Sequence, residues 1–174
     1  MQLRRVLRCR VLCRHIKVMK SELVFAYGSN MDPAQMRERC PESDLSWFVA
    51  EARGWKLCFP RNSTKRKGGV GSVIPEDGPS AWGVVFTVSD RDLLRLDRYE
   101  GVGSGAYRRV TIEVFETNGR KVSAWTYFAI PKGSGDFVPH PDYIDLYIKG
   151  ATYFGLTQEY VDSLKRIRDG AKSV

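Results

Sequence analysis

The 174-residue sequence predicts one α+β domain with a mixed, mostly antiparallel, barrel-like sheet and short flanking helices. Three observations carry that prediction. Strand-like stretches dominate the middle of the chain, and helical stretches punctuate them. Asn118-Gly119 separates two long strand-like runs, the strongest short signal for a hairpin. The length suits a single core, because a domain of about 150 residues buries roughly 68–70% of its unfolded surface without staples.

Charge divides the chain before structure does. Residues 1–20 hold Arg4, Arg5, Arg8, Arg10, Arg14, Lys17 and Lys20 and no acid, so they supply most of the net charge of +8. The remainder is nearly neutral, which argues against a nucleic-acid partner for the domain body. The extension reads as a targeting segment (though without Ser before Ser21), as a polybasic contact arm, or as residues upstream of a start at Met19. The expected division is therefore a basic extension at 1–20, a domain at 21–169 and a tail at 170–174. No apolar run reaches about 18 residues, so no membrane helix is expected. Cys9, Cys13, Cys40 and Cys58 make no C-x-x-C pair and no zinc spacing with His15 or His140, and read as reduced, structural and intracellular.

Residues 22–27 read as a short buried strand ending in the turn Gly28-Ser29-Asn30. A helix of about two turns follows. Asp32 suits its N-cap, Pro33 its first position, Gln35 completes a capping-box pattern, and Met31 staples onto Met36. Residues 47–59 predict a strand bent at Gly54, and 60–69 an exposed basic loop that lacks the Walker order of glycines and lysine. Strands at 70–74 and 81–88 flank a turn at 75–79. Ser89 and Asp92 open a short helix with an apolar face of Leu93, Leu94 and Leu96, ended by Gly101. The hairpin strands fall at 107–116 and 121–130. After a Pro/Gly-rich loop come helices at 141–149 and from Thr157, the latter with Lys165, Arg166 and Arg168 in its last turn.

Two places in this plan can hold chemistry. The first is Tyr27-Gly28-Ser29-Asn30, where a turn into a helix start presents free N–H groups able to hold a carboxylate or an oxyanion. A plain strand-to-helix connection explains the same residues. The second is Glu100, at the C-terminal end of the short helix. There the helix dipole disfavours a negative charge, and enclosure adds to that, so the carboxylate becomes a better base than an ordinary Glu near about 4.3. An exposed helix-end acid is the competing reading.

The order of motifs adds to both. Phe25-Ala26-Tyr27-Gly28-Ser29-Asn30-Met31 resembles the opening motif of the γ-glutamylcyclotransferases. Trp82-Gly83-Val84-Val85-Phe86 and Leu96-Asp97-Arg98-Tyr99-Glu100-Gly101-Val102 resemble the family's catalytic segment. Gly105-Ala106-Tyr107, Pro141-Asp142-Tyr143, Gly150-Ala151 and Gly155-Leu156 follow in family order, so the resemblance spans about 22–168. It implies a barrel-like fold, no metal and no cofactor, a small γ-glutamyl substrate, a monomer or homodimer, and a cytoplasmic enzyme. It places the catalytic Glu at Glu100. The γ-glutamyl site falls on Val24, Phe25, Ala26, Tyr27, Gly28, Ser29 and Asn30, with Tyr143 and Tyr107 as further contacts. Asn30 separates the chain from relatives with Leu there, which act on glutathione. The implied reaction cyclises a γ-glutamyl amino acid to 5-oxoproline. Removal of a γ-glutamyl group from an amine or biosynthetic intermediate, and a non-catalytic binding domain, are the alternatives.

Overall fold

A computed structural model describes residues 20–172. Nearly all of the basic extension, with Cys9, Cys13 and His15, therefore lies outside the described residues. Five strands close a barrel: β1 (Ser21–Ala26), β2 (Trp47–Ser63), β3 (Gly68–Ser89), β4 (Tyr107–Glu116) and β5 (Lys121–Ala129), in the order β1-β3-β2-β4-β5. All pairings are antiparallel except the closure, where β1 meets β5 in parallel at Val24 and Trp125. Four helices flank the barrel: α1 (Pro33–Arg39), α2 (Asp90–Tyr99), α3 (Pro141–Tyr153) and α4 (Gln158–Lys172). Among the described residues, no helix is long and apolar enough to cross a membrane.

The largest departure from the expected elements is in β2 and β3. The stretch 60–69 is not a free loop. The ladder runs out to Ser63 and Gly68, leaving only 64–67 as the turn. Likewise 70–74 and 81–88 belong to one strand. Its ladder jumps from Pro75 to Ser80 while the partner moves only from Trp55 to Arg53, so 76–79 bulge out opposite Gly54. Gly54 has φ +72°, the left-handed value that the bend requires. Gly and Pro were thus correctly placed at irregularities, but the ladder resumes after each.

The helix ends follow from their caps. Asp32 accepts from the backbone N–H of Gln35 at 2.8 Å, and Pro33 occupies the first helical position. Met31 and Met36 are both fully buried in the core beneath it. Ser89 caps α2 through the N–H of Asp92. The Asp92 carboxylate, completely buried, accepts from the Glu42 N–H and the Ser43 hydroxyl and pairs with Arg95. That ties the start of α2 to the loop leaving α1. Helix α3 runs to Tyr153, four residues past its expected end, and crosses the turn at 29–31 so closely that a Cβ on Gly150 would stand 2.5 Å from Met31 backbone atoms. Helix α4 starts after Thr157 as expected but extends to Lys172. The basic residues at 165–168 therefore lie mid-helix, and residues 170–172 are helix rather than tail.

Candidate active site

Strand β1 delivers the chain into a cavity at one end of the barrel. Its last residues Phe25 and Ala26, then Tyr27, Gly28, Ser29 and Asn30, line that cavity. Residues Ser29–Met31 form a single 3₁₀ turn, so the first N–H groups of that turn have no acceptor within it. The walls enclose about 40 Å³, more than one water needs, and the mouth is open. Glu100, Tyr107 and Tyr143 complete the set expected from sequence, arriving from α2, β4 and α3. Val24 stands apart. It is buried in the hydrophobic core, paired with Phe86 and Trp125, and does not line the cavity: Ala26, two residues on and on the same face, does, so Val24 lies too far back along the strand.

Glu100 caps the C-terminus of α2, and its N–H donates to the Leu96 carbonyl at 2.9 Å. Gly101 follows at φ +66° and stops the helix. The carboxylate is not the isolated acid that the dipole argument pictured. Its Oε1 accepts from Asn30 Nδ2 at 2.9 Å and from Arg39 Nη1 at 3.0 Å. The same Arg39 nitrogen donates to Asn30 Oδ1 at 2.6 Å, and the guanidinium lies over the Tyr99 ring. The Arg39 and Glu100 side chains are only 11% and 14% exposed, so solvent screens the pair weakly. Both hydrogen bonds to the carboxylate fall on Oε1, leaving Oε2 without a hydrogen-bond partner among the described residues.

Gln35 supports the turn from the other side. Its backbone N–H fulfils the capping pattern, but its side chain does not return to the N-cap. Nε2 donates instead to the Ser29 carbonyl at 2.8 Å and the Ser29 hydroxyl at 3.1 Å.

Tyrosines form much of the remaining wall. Tyr147 donates to the Tyr143 hydroxyl at 2.8 Å, and that hydroxyl accepts from the Gly71 N–H at 3.3 Å. Tyr107 donates to the Gly71 carbonyl at 3.0 Å. Gly71 is free for both because the β2–β3 ladder slips there: Cys58 faces Ser72, and the next pair is Arg61 with Val70. A Cβ on Gly71 would stand 2.2 Å from the Tyr147 oxygen, and one on Gly28 would stand 2.9 Å from it. Both glycines make room for that phenol. Burial pushes the phenols of Tyr27, Tyr107, Tyr127, Tyr143 and Tyr147 above their ordinary value, so they are neutral donors around pH 7.

Tyr147, Tyr127, Thr126 and Gly71 line the cavity without having been expected there. Tyr147 had a signal, being four residues from Tyr143 on one helix face. Gly71 and Arg39 had none, since their roles come from a ladder slip and from a partner 61 residues away. Burial also raises the thiols of Cys40 and Cys58, to about 12 and about 11, and both are free and buried. Among the described residues no group of three or more His, Cys, Asp or Glu could hold a metal ion.

Known proteins resemble this chain in sequence and in fold. The chain is 33% identical over 149 residues to a mouse protein named γ-glutamylcyclotransferase, covering 83% of this chain and 78% of that one. The human protein of the same name is 32% identical over 152 residues, covering 85% and 79%. The chain belongs to the γ-glutamylcyclotransferase family. The AIG2-like family model matches residues 80–164 of this cyclotransferase. A solved structure named γ-glutamyl cyclotransferase superposes with a TM-score of 0.78 at 28% identity, covering 89% of this chain and all of that one. The barrel and its helices are thus the fold of this enzyme family, and the protein is an enzyme of that type.

Proposed function

We propose that this cyclotransferase acts on γ-glutamyl amino acids, releasing 5-oxoproline and the free amino acid, with Glu100 as general base and then general acid. One observation carries the reading. A single carboxylate is fixed by Asn30 and Arg39 through one oxygen, in a cavity otherwise lined by neutral phenols and a turn with free N–H groups.

The substrate brings its own nucleophile. Its α-nitrogen bonds to its γ-carbon and closes a five-membered ring, and the bond from the γ-carbon to the departing nitrogen breaks. No Ser or Cys nucleophile is required, and holding the substrate folded supplies the near-attack geometry. The α-nitrogen starts as ammonium and ends as a lactam N–H, so it loses two protons. Both end on the departing nitrogen, which leaves as ammonium, and no proton is gained or lost overall. Glu100 Oε2 is the carrier, accepting from one nitrogen and donating to the other. The N–H groups of Gly28, Ser29 and Asn30 take the negative charge of the tetrahedral oxygen or the substrate's α-carboxylate. Tyr107 and Tyr143 contact the substrate as neutral groups, and Phe25, Ala26 and Tyr27 shape its seat.

A panel tests this. Purified protein is incubated with γ-glutamyl amino acids, a γ-glutamyl amine and glutathione, and 5-oxoproline is measured. Turnover highest on the amino acid conjugates is the expected result. No product from any substrate would overturn the reading.

A further inference from the structure

The β2–β3 hairpin tip carries a half-buried arginine that no acid among the described residues pairs with. Arg66 donates through Nη2 to Gln35 Oε1 at 3.0 Å, and its guanidinium lies 5.1 Å from the centroid of the Tyr143 ring. Among the described residues no carboxylate forms an ion pair with it, in contrast to Arg39. A guanidinium has five N–H donors in a fork that suits a carboxylate, and Gln35 takes one of them.

The tip is held, so this placement follows from the fold. The Gly69 N–H donates to the Val138 carbonyl at 2.8 Å. A Cβ on Gly68 would stand 2.7 Å from that carbonyl oxygen and 2.8 Å from the His140 nitrogen, so the strand passes the 137–140 segment with no room for a side chain. Lys67, beside Arg66, sits in the left-handed region at φ 57°, a conformation a non-glycine residue adopts only where its surroundings fix it. Two bridges then connect Arg66 to the cavity. Tyr143 under the guanidinium is a wall residue. Gln35, bonded to Arg66 by its oxygen, is bonded to Ser29 by its nitrogen.

We propose that Arg66 is a specificity residue that binds the carboxylate of the departing amino acid, an inference that rests on the cyclotransferase reading above. During ring closure the γ-glutamyl half must lie inside, with its amine at Glu100. The departing half then extends out of the cavity, and Arg66, which does not line the cavity itself, lies against the wall residue Tyr143. A γ-glutamyl amine has no such carboxylate and leaves Arg66 unpaired, so the residue separates the two substrate classes.

The test compares γ-glutamyl-L-alanine with γ-glutamylethylamide in the wild type, Arg66→Met and Arg66→Lys, with thermal melts to verify folding. Met keeps an aliphatic stem over Tyr143 and removes the charge. The expected result is a rise in KM for γ-glutamyl-L-alanine of roughly ten- to a hundredfold in Arg66→Met, the scale of a lost charge-assisted pair. The kcat/KM for γ-glutamylethylamide should stay within about threefold, and Arg66→Lys should retain part of the preference. Equal losses on both substrates, or no loss on either, would overturn the inference while leaving the cyclotransferase reading intact. No 5-oxoproline from the wild type would overturn both.

Discussion

The two halves of the cavity wall are built on opposite electrostatic principles. On one side, Glu100, Arg39 and Asn30 form a compact charged cluster, assembled from the ends of α1 and α2 and the turn after β1. On the other, the phenols of Tyr107, Tyr143 and Tyr147 meet around Gly71 with no formal charge. The difference separates tasks. Proton movement needs a group that changes charge, and only the first cluster offers one. Holding a polar substrate in place needs donors that do not change charge, and burial keeps the phenols in that state.

Substitutions in the charged cluster should have the largest effects. Glu100→Gln keeps the shape and one acceptor but removes the proposed proton carrier, so kcat should fall by roughly 10²–10⁴ with the melting temperature nearly unchanged. Arg39→Met should come next. Arg39 acts through Glu100 and Asn30, so it is a positioning residue. Its loss should lower kcat by roughly ten- to a hundredfold while KM changes little, and Arg39→Lys should recover part of that loss. Steady-state kinetics on one γ-glutamyl amino acid checks both.

The neutral wall should respond through packing. Gly28→Ala puts a methyl group against the Tyr147 phenol, whose hydroxyl also bonds to Tyr143. Overpacking of this kind costs about 1–3 kcal/mol, measurable by denaturant melts, and the companion variant Tyr147→Phe should relieve part of it. The smallest effect is a titration. Unfolded phenols ionise near about 10, and the folded ones are held above that. The unfolded chain therefore gives up these protons first. The stability they contribute is complete below that pH and is lost as pH rises above it. Ultraviolet titration should show no phenolate from the five wall tyrosines until the chain unfolds.

How much of this was legible depended on the range of the interaction. The turn at 28–30 and the N-cap at Asp32 could be read because strand end, turn and cap adjoin in sequence. Glu100 was legible as a helix-end acid, and the ordered motifs singled it out. Its ion pair was not, since Arg39 carries no local mark and lies 61 residues from Glu100 in sequence. The β2–β3 pair was misread for the same reason. Gly54, Pro75 and Gly78 are true irregularities, but whether a ladder stops or skips there is decided by the partner strand. Arg66 looked like part of a solvated basic loop until the extended hairpin placed it against Tyr143. Val24 differs: it shares a strand face with Ala26 but lies two residues further from the turn, in the core, while Phe25 and Ala26 reach the cavity.

The most direct test of the account is the identity of the product. Attack by the substrate's own amine gives 5-oxoproline, whereas attack by water gives glutamate. Incubating the purified protein with γ-glutamyl-L-alanine and quantifying all three species separates the two. The expected result is 5-oxoproline and alanine in equal amounts with no enzymatic glutamate. Glutamate released in step with alanine would contradict it.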